Sequence, residues 1–400
     1  MIADTDRAVR VITCTSDAPW EPPLVHGLQR HELGIHLVRR CVDHGELLGV
    51  ALRDRPRAAI VAADLPWLDR ELVGTLQEHG VAVIAIDTRG TRPLDRIGVT
   101  HRLDASATAD DVAALLHRLD AGATPHHAEP VAAAAHPAGR LVAVWGGAGS
   151  PGRTTVATHT ALALGEIGHR VLLVDADVWA ASIAQLLELA ESPSLAQAAR
   201  LAVDGWAQPL ASCVQDGPGG IGVLAGLARA ELWPEVREHA WRAVLDAARA
   251  EHDCVVVDLA APIEEDEELS FDRVPYRRNL VTRIALELAD TVLLVVAADP
   301  IGLRRGIVAH RTLAGALPRA AGRSAVVLDR APAVARRAQE ASGAVSEWTG
   351  HPPRAILPEE PAFERVVWEG RPLGVVRRRS RWWRELQATV VPFVSAGVRA

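Results

Sequence analysis

Lysine does not occur in this 400-residue chain; all 43 of its basic residues are arginine. Any site that calls for an ammonium must use a guanidinium, which is planar, larger and less compact. Methionine and tyrosine occur once each, and with abundant alanine this is the composition bias of a GC-rich genome. Long apolar runs are missing too: none approaches the about 18 residues needed to cross a membrane. Met1–Arg10 is charged and has no apolar core, so no signal peptide is expected. Cysteine is sparse. Cys14, Cys41, Cys213 and Cys254 stand far apart without C-x-x-C spacing, so buried reduced thiols are expected. The 16 histidines show no H-E-x-x-H or comparable metal spacing, and His126–His127 sit in an Ala/Pro-rich stretch that reads as linker. A formal net charge of -7 provides no global basic field to draw in nucleic acid. These absences together point to a cytoplasmic protein.

What is present suffices for two domains. Hydrophobic residues make up 49% of the chain and charged residues 23%, the balance of a globular protein. Residues 123–139, rich in Ala, Pro and His, break the periodicity and read as a linker between a domain at 1–122 and another at 140–400. In the first, strands are expected at 9–14, 35–42, 58–62, 81–86 and, more weakly, 98–103. Helices are expected at 25–31, 46–53, 68–79 and 109–119. Such alternation builds a parallel sheet covered on both faces. Five strands in this order resemble a response-regulator receiver domain, in which a phosphoacceptor aspartate ends the third strand. Asp64 is the one candidate, and Thr88 follows the fourth strand acceptably. The acidic pair expected after the first strand is missing, since residues 13–17 read Thr-Cys-Thr-Ser-Asp, and no lysine can follow the fifth. Phosphoryl transfer needs a carboxylate-held metal and a cation. Asp64 therefore reads as a turn or cap residue, and the domain as a pseudo-receiver used for docking or dimerisation.

In the second domain a buried run, Leu141–Trp145, leads into Gly146-Gly-Ala-Gly-Ser-Pro-Gly-Arg-Thr-Thr155 and then into a helix ending near Gly168. Glycines let successive backbone N–H groups curl around one anion, and the helix N-terminus adds its partial positive charge. From Gly147 to Thr154 the stretch fits G-x-x-x-x-G-[K]-[ST] except for Arg153 in place of lysine. Alone, it is equally a plain strand-to-helix turn. Buried runs ending in acids follow in order: Asp175 and Asp177, then Asp258, then 289–296, then Asp329. Carboxylates at the carboxyl ends of parallel strands meet where doubly wound sheets bind ligands, and that succession favours a nucleotide site.

The glycine loop, Val174-Asp-Ala-Asp177, Val255-Val-Val-Asp258 and Ala289-Asp-Thr-Val-Leu-Leu-Val-Val296 resemble the MinD/ParA family of P-loop ATPases, as does the tail Leu357–Pro372. The resemblance spans 140–395, and with a receiver-like domain in front it is closest to the TadZ/CpaE group of pilus-assembly and septum-site proteins. It implies ATP and Mg²⁺ as ligands and a homodimer as the working form. Gly147, Gly149, Ser150, Gly152, Arg153, Thr154 and Thr155 would cradle the phosphates. Thr154, Asp177 and Asp258 would attend the metal, Asp177 and Arg153 would serve catalysis with Asp175 in support, and Asp329 and Pro358 would lie by the base. Three positions depart from the pattern. Ala148 stands where the family's signature lysine would be, Arg153 replaces the phosphate lysine, and Asp329 replaces an asparagine, so it can accept from a base but not donate.

Two further stretches remain. Glu264–Glu268 with Arg273, Arg277 and Arg278 reads as a solvated loop or a partner-docking element beside the metal site. Arg377–Arg384, with its paired tryptophans, reads as a last helix packing those rings inward, or else a patch for anionic lipid or nucleic acid. No long amphipathic membrane anchor is seen. The expected function is a spatial regulator that localises a pilus, secretion or division apparatus through protein partners. Placement is cytoplasmic or peripheral at the inner membrane face, with slow or lost hydrolysis. A DNA-partitioning ATPase and a degenerate scaffold without nucleotide are the alternatives.

Overall fold

A computed structural model describes residues 8–15, 18–65, 67–87, 94–120, 139–203, 205–206, 208–264 and 278–396. Thr88, His126–His127 and most of the acidic stretch 264–277 lie outside the described residues. The chain divides into two compact units, each carrying one sheet.

The first unit holds β1 (Val9–Cys14), β2 (Ile35–Cys41), β3 (Ala58–Ala62), β4 (Ala82–Asp87) and β5 (His101–Asp104) in the order β2-β1-β3-β4-β5. Every pairing is parallel, which gives the receiver-like α/β arrangement. Asp43 and Asp69 cap their helices, accepting from the amides of Glu46 (2.8 Å) and Leu72 (3.0 Å). The first helix, Glu21–Leu28, begins four residues before the expected start. Pro22 and Pro23 fill its first turn, where no amide donor is needed, and act there as an initiator.

This earlier start brings Glu21 to the end of β1. Its buried carboxylate accepts from the Thr13 hydroxyl at 2.7 Å and pairs with Arg40 at 2.6 Å. Burial alone would raise its pKa, but Arg40, Thr13 and Thr15 outweigh that and hold it lowered. Where a receiver would present open carboxylates, this unit holds a neutralised ion pair. Asp64 stands exposed in the turn after β3.

The second unit holds β6 (Arg140–Trp145), β7 (Val171–Ala176), β8 (Gln215–Asp216), β9 (Gly222–Leu224), β10 (Cys254–Leu259), β11 (Thr291–Ala297), β12 (Ser324–Ala331) and β13 (Ala355–Pro358). The order is β13-β12-β11-β6-β10-β7-β9-β8, parallel except for β8 against β9. The five central strands match the expected runs, and β7, β10 and β11 are buried throughout. The short strands β8, β9 and β13 were not expected: at two to four residues each they are too short to show a period.

The helix Arg153–Glu166 is buried from Val156 to Leu164. One side faces the sheet, and the last helix, Arg381–Ser395, covers the other with Trp382 and Trp383 fully buried. The paired tryptophans thus pack inward. No helix among the described residues is long and apolar enough to cross a membrane.

Candidate functional site

The loop from Gly146 to Gly152 leaves the end of β6 and turns through left-handed backbone at Gly149 (φ 99°), Ser150 (φ 51°) and Gly152 (φ 106°). The first intrahelical bond runs from the Val156 amide to the Gly152 carbonyl at 2.9 Å. The amides of Arg153, Thr154 and Thr155 therefore precede the helical ladder and are available to an anion. Gly152 is required twice over: a Cβ there would be strained by its φ and would stand 3.1 Å from Cγ of Asp329. Arg330 ties the same loop down, donating to the Ser150 carbonyl at 2.6 Å.

Arg153 folds back over the loop. Its guanidinium donates to the carbonyls of Gly146 (3.2 Å) and Gly147 (3.0 Å) and stands 3.6 Å from Asp177. The site's cation is thus shared between its own loop and an acid.

Register brings the acids together. Asp258 on β10 is level with Asp175 on β7, and β6 lies on its other side. Asp175 is saturated by the amides of Ser182 (2.8 Å), Ile183 (2.9 Å) and Asp177 (3.3 Å). Its pKa is pushed up to about 6 because burial outweighs those donors. Asp177 accepts from the amides of Trp179 and Ala180 at 2.9 Å, leaving its second oxygen toward Arg153. Asp258 is the least satisfied of the three. Burial raises its pKa well above the usual carboxylate range and the Asp175 charge raises it further, while a hydrogen bond from Thr154 and the Arg153 charge offset only part of this. Its Oδ1 is buried without a hydrogen-bond partner. An orphaned carboxylate oxygen beside a hydroxyl and an anion nest suits a cation that arrives with an anion. Among the described residues no three carboxylate, histidine or cysteine side chains form a ready metal cage. A metal here would draw its remaining ligands from phosphate oxygens and water, as Mg²⁺ does.

Asp329 lies against Gly152, buried, and accepts from the Trp382 indole at 2.8 Å. Its pKa is raised to about 6 by burial, which the Trp382 hydrogen bond only partly counters. Pro358 closes β13, opposite Ala331 of β12. Gly147, Gly149, Ser150, Gly152, Arg153, Thr154, Asp177 and Asp258 thus surround one end of the sheet, with Asp329 beneath the loop.

Sequence reasoning missed His159. It is fully buried in the second turn of the helix after the loop, with Nδ1 2.8 Å from the Thr155 carbonyl and Nε2 accepting from the Leu373 amide at 3.0 Å. Those partners define the neutral tautomer with the proton on Nδ1. Phe363, Trp382 and Trp383 meet its ring edge-on. Burial lowers its pKa from 6.5 to about 4 against a small upward pull from Thr155. A depressed pKa contributes stability that is present above 6.5 and lost as the pH falls toward 4. This amounts to about 3 kcal/mol. Asp175 and Asp329, with raised values, act in the opposite sense. The comparison with His159→Gln isolates the histidine: the stability gap between wild type and variant in urea titrations should shrink by about that amount between pH 7 and pH 4.

The ParA model described as a NUBPL iron-transfer P-loop NTPase matches residues 138–210. Antiactivator FleN of Pseudomonas aeruginosa is 31% identical over 168 residues, 41% of this chain and 52% of FleN. The chain thus spans about half the length of that curated relative. Among solved structures, the Pyrococcus horikoshii septum site-determining protein MinD, complexed with Mg-ADP, matches with a TM-score of 0.50 at 20% identity, covering 65% of this chain and 98% of that one. A ParA family ATPase from Chlorobium tepidum matches at 0.52 and 20%, covering 64% and 99%. At that identity the structural likeness is one of fold. Strand order and these likenesses together show that the second unit has the fold of the ParA/MinD-type P-loop proteins.

Proposed function

We propose that this chain is a nucleotide-operated spatial regulator, binding Mg-ATP in its second unit and reading the nucleotide out as a change in self-association. The observation that carries this is Asp258, a buried carboxylate that Thr154 and the Arg153 charge reach and that keeps one oxygen without a partner. Thr154 and Asp258, with Asp177, would hold Mg²⁺, whose chemistry there is to neutralise phosphate charge and order a water. Asp177 turns its second oxygen toward Arg153 in that region, a position suited to orienting an attacking water. Hydrolysis is slow, because Arg153 is bound to its own loop and to Asp177. Asp329 is buried beneath the loop and held by Trp382, so it braces the loop and is not placed to read a base.

The names of the relatives, an antiactivator and a septum site-determining protein, fit a regulator that acts through protein partners. We assign the first unit to docking or dimerisation, because the carboxylate buried at the end of its β1, Glu21, is already neutralised by Arg40. The apparatus it positions is of the pilus, secretion or division kind.

Calorimetric titration of the full chain tests the core of this. Mg-ATP should bind wild type, and chelating the metal should weaken that binding about tenfold. Thr154→Ala should show the weaker affinity whether or not metal is present. Identical binding by wild type and variant, with and without chelator, would remove the metal-nucleotide site.

A further inference from the structure

The helix Pro300–Ala316 lies so close to the phosphate loop that glycine is needed on both sides. Asp299 caps its first turn, accepting from the amides of Ile301 and Gly302 at 2.9 Å. A Cβ at Gly302 would stand 2.7 Å from Cβ of Ala297, and one at Gly306 2.7 Å from Cγ1 of Val296, so both glycines let the helix settle onto the end of β11. On the loop side, a Cβ at Gly147 would stand 3.2 Å from the Arg305 carbonyl. One at Gly149 would stand 2.8 Å from Cζ of the Arg305 guanidinium. Arg305 therefore lies across Cα of Gly149. It also lines both cavities beside the loop, one of about 190 Å³ shared with Asp299 and Arg330 and one of about 300 Å³ shared with Glu264 and Arg304.

The charge balance of the site makes this placement consequential. Three acids, Asp175, Asp177 and Asp258, face one loop cation, Arg153, and that cation already serves two loop carbonyls and Asp177. A triphosphate brings about four further negative charges, more than one divalent metal and a shared guanidinium neutralise. Among the described residues Arg305 forms no ion pair, so its fork of donors is free for phosphate oxygens. The helix amides at 153–155 take phosphates at one end of the loop, and Gly149 forms the other.

We propose that Arg305 is a phosphate-contacting cation of this site, supplied by the same chain: it engages the terminal phosphate of a bound nucleoside triphosphate and makes the site discriminate triphosphate from diphosphate. This rests on the nucleotide reading above. Arg305 supplies from a neighbouring helix the positive charge that Ala148 in the loop does not.

The test is titration of the full chain with Mg-ATP and Mg-ADP. The proteins are wild type, Arg305→Met, which keeps the stem over Gly149 and drops the charge, and Arg305→Lys, which restores a charge. Arg305→Met should lose about tenfold or more in Mg-ATP affinity while Mg-ADP changes less than about twofold. Arg305→Lys should recover most of the Mg-ATP loss. Equal weakening for both nucleotides would make Arg305 a mere prop for the loop, and unchanged affinities would leave it no role; either overturns the proposal while the nucleotide site stands. Wild type that binds neither nucleotide would overturn the site and this proposal together.

Discussion

Arg153→Ala is expected to weaken Mg-ATP binding by about 100-fold, the loss of charge-assisted hydrogen bonds in a site shielded from water. The argument rests on what surrounds the guanidinium. Arg153 stands 3.6 Å from Asp177, and its charge also lowers the pKa of Asp258. Without it, the anion nest opens onto three carboxylates with no loop cation between, and a triphosphate would meet repulsion where it now meets a fork of donors. Arg153→Lys separates charge from shape. A compact ammonium cannot span the two loop carbonyls as the guanidinium does, so affinity should stay within about tenfold of wild type while phosphate release rises. Calorimetry and a phosphate-release assay read the two effects. Wild-type affinity in Arg153→Ala would mean that nucleotide does not bind at this loop; unchanged turnover in Arg153→Lys would mean that the arginine does not hold hydrolysis down.

Trp382→Ala should destabilise the second unit by about 3–5 kcal/mol, the range for emptying a large buried aromatic site. Trp382 is 0% exposed, meets His159 and Phe363 edge-on, and donates to Asp329. Trp382→Phe keeps most of the volume and removes the donor, so it isolates the cost of leaving the buried Asp329 carboxylate short of a partner, about 1–3 kcal/mol. Asp329→Asn gives the other corner of a double-mutant cycle, because a neutral amide needs the indole less. Urea titrations of the four proteins at pH 7 should show Trp382→Phe costing less in the Asp329→Asn background. Equal cost in both backgrounds would mean that the indole stabilises by packing alone. Because Asp329 lies against Gly152, the Trp382→Ala variant that remains folded should also bind nucleotide more weakly.

Much of the fold was legible because it rests on local signals. The central strands β3, β7, β10 and β11 are nearly continuous apolar runs bounded by polar turns, the pattern of strands buried on both faces. The phosphate loop was legible for a similar reason: Gly149 and Gly152 take backbone angles that other residues resist, so their spacing by itself marks a turn. The first helix was misjudged at its start, since Pro22 and Pro23 break a helix interior and begin a helix end, and the local sequence does not say which. The short strands β8, β9 and β13 exist because a neighbour offers them hydrogen bonds, and a two-residue strand carries no pattern of its own.

The site divides in the same way. Asp175, Asp177, Asp258 and Asp329 were found in sequence because each ends a buried run. That Asp175 is saturated by three amides, that Asp258 keeps a bare oxygen and that Asp329 is claimed by Trp382 followed only from the folded chain. His159 was invisible because its second partner, Leu373, is 214 residues away. Arg305 was invisible because nothing in its own helix says which loop that helix will cover.

Sequence by itself determined two parallel α/β sheets, a glycine turn able to bind an anion and the acids at the strand ends. Each depends on backbone angles and burial patterns that reach only a few residues along the chain. The tertiary structure alone decided which acid is spent, which is free and which cation lies across the loop. Those outcomes depend on contacts between residues tens to hundreds of positions apart, and no local pattern encodes such distances.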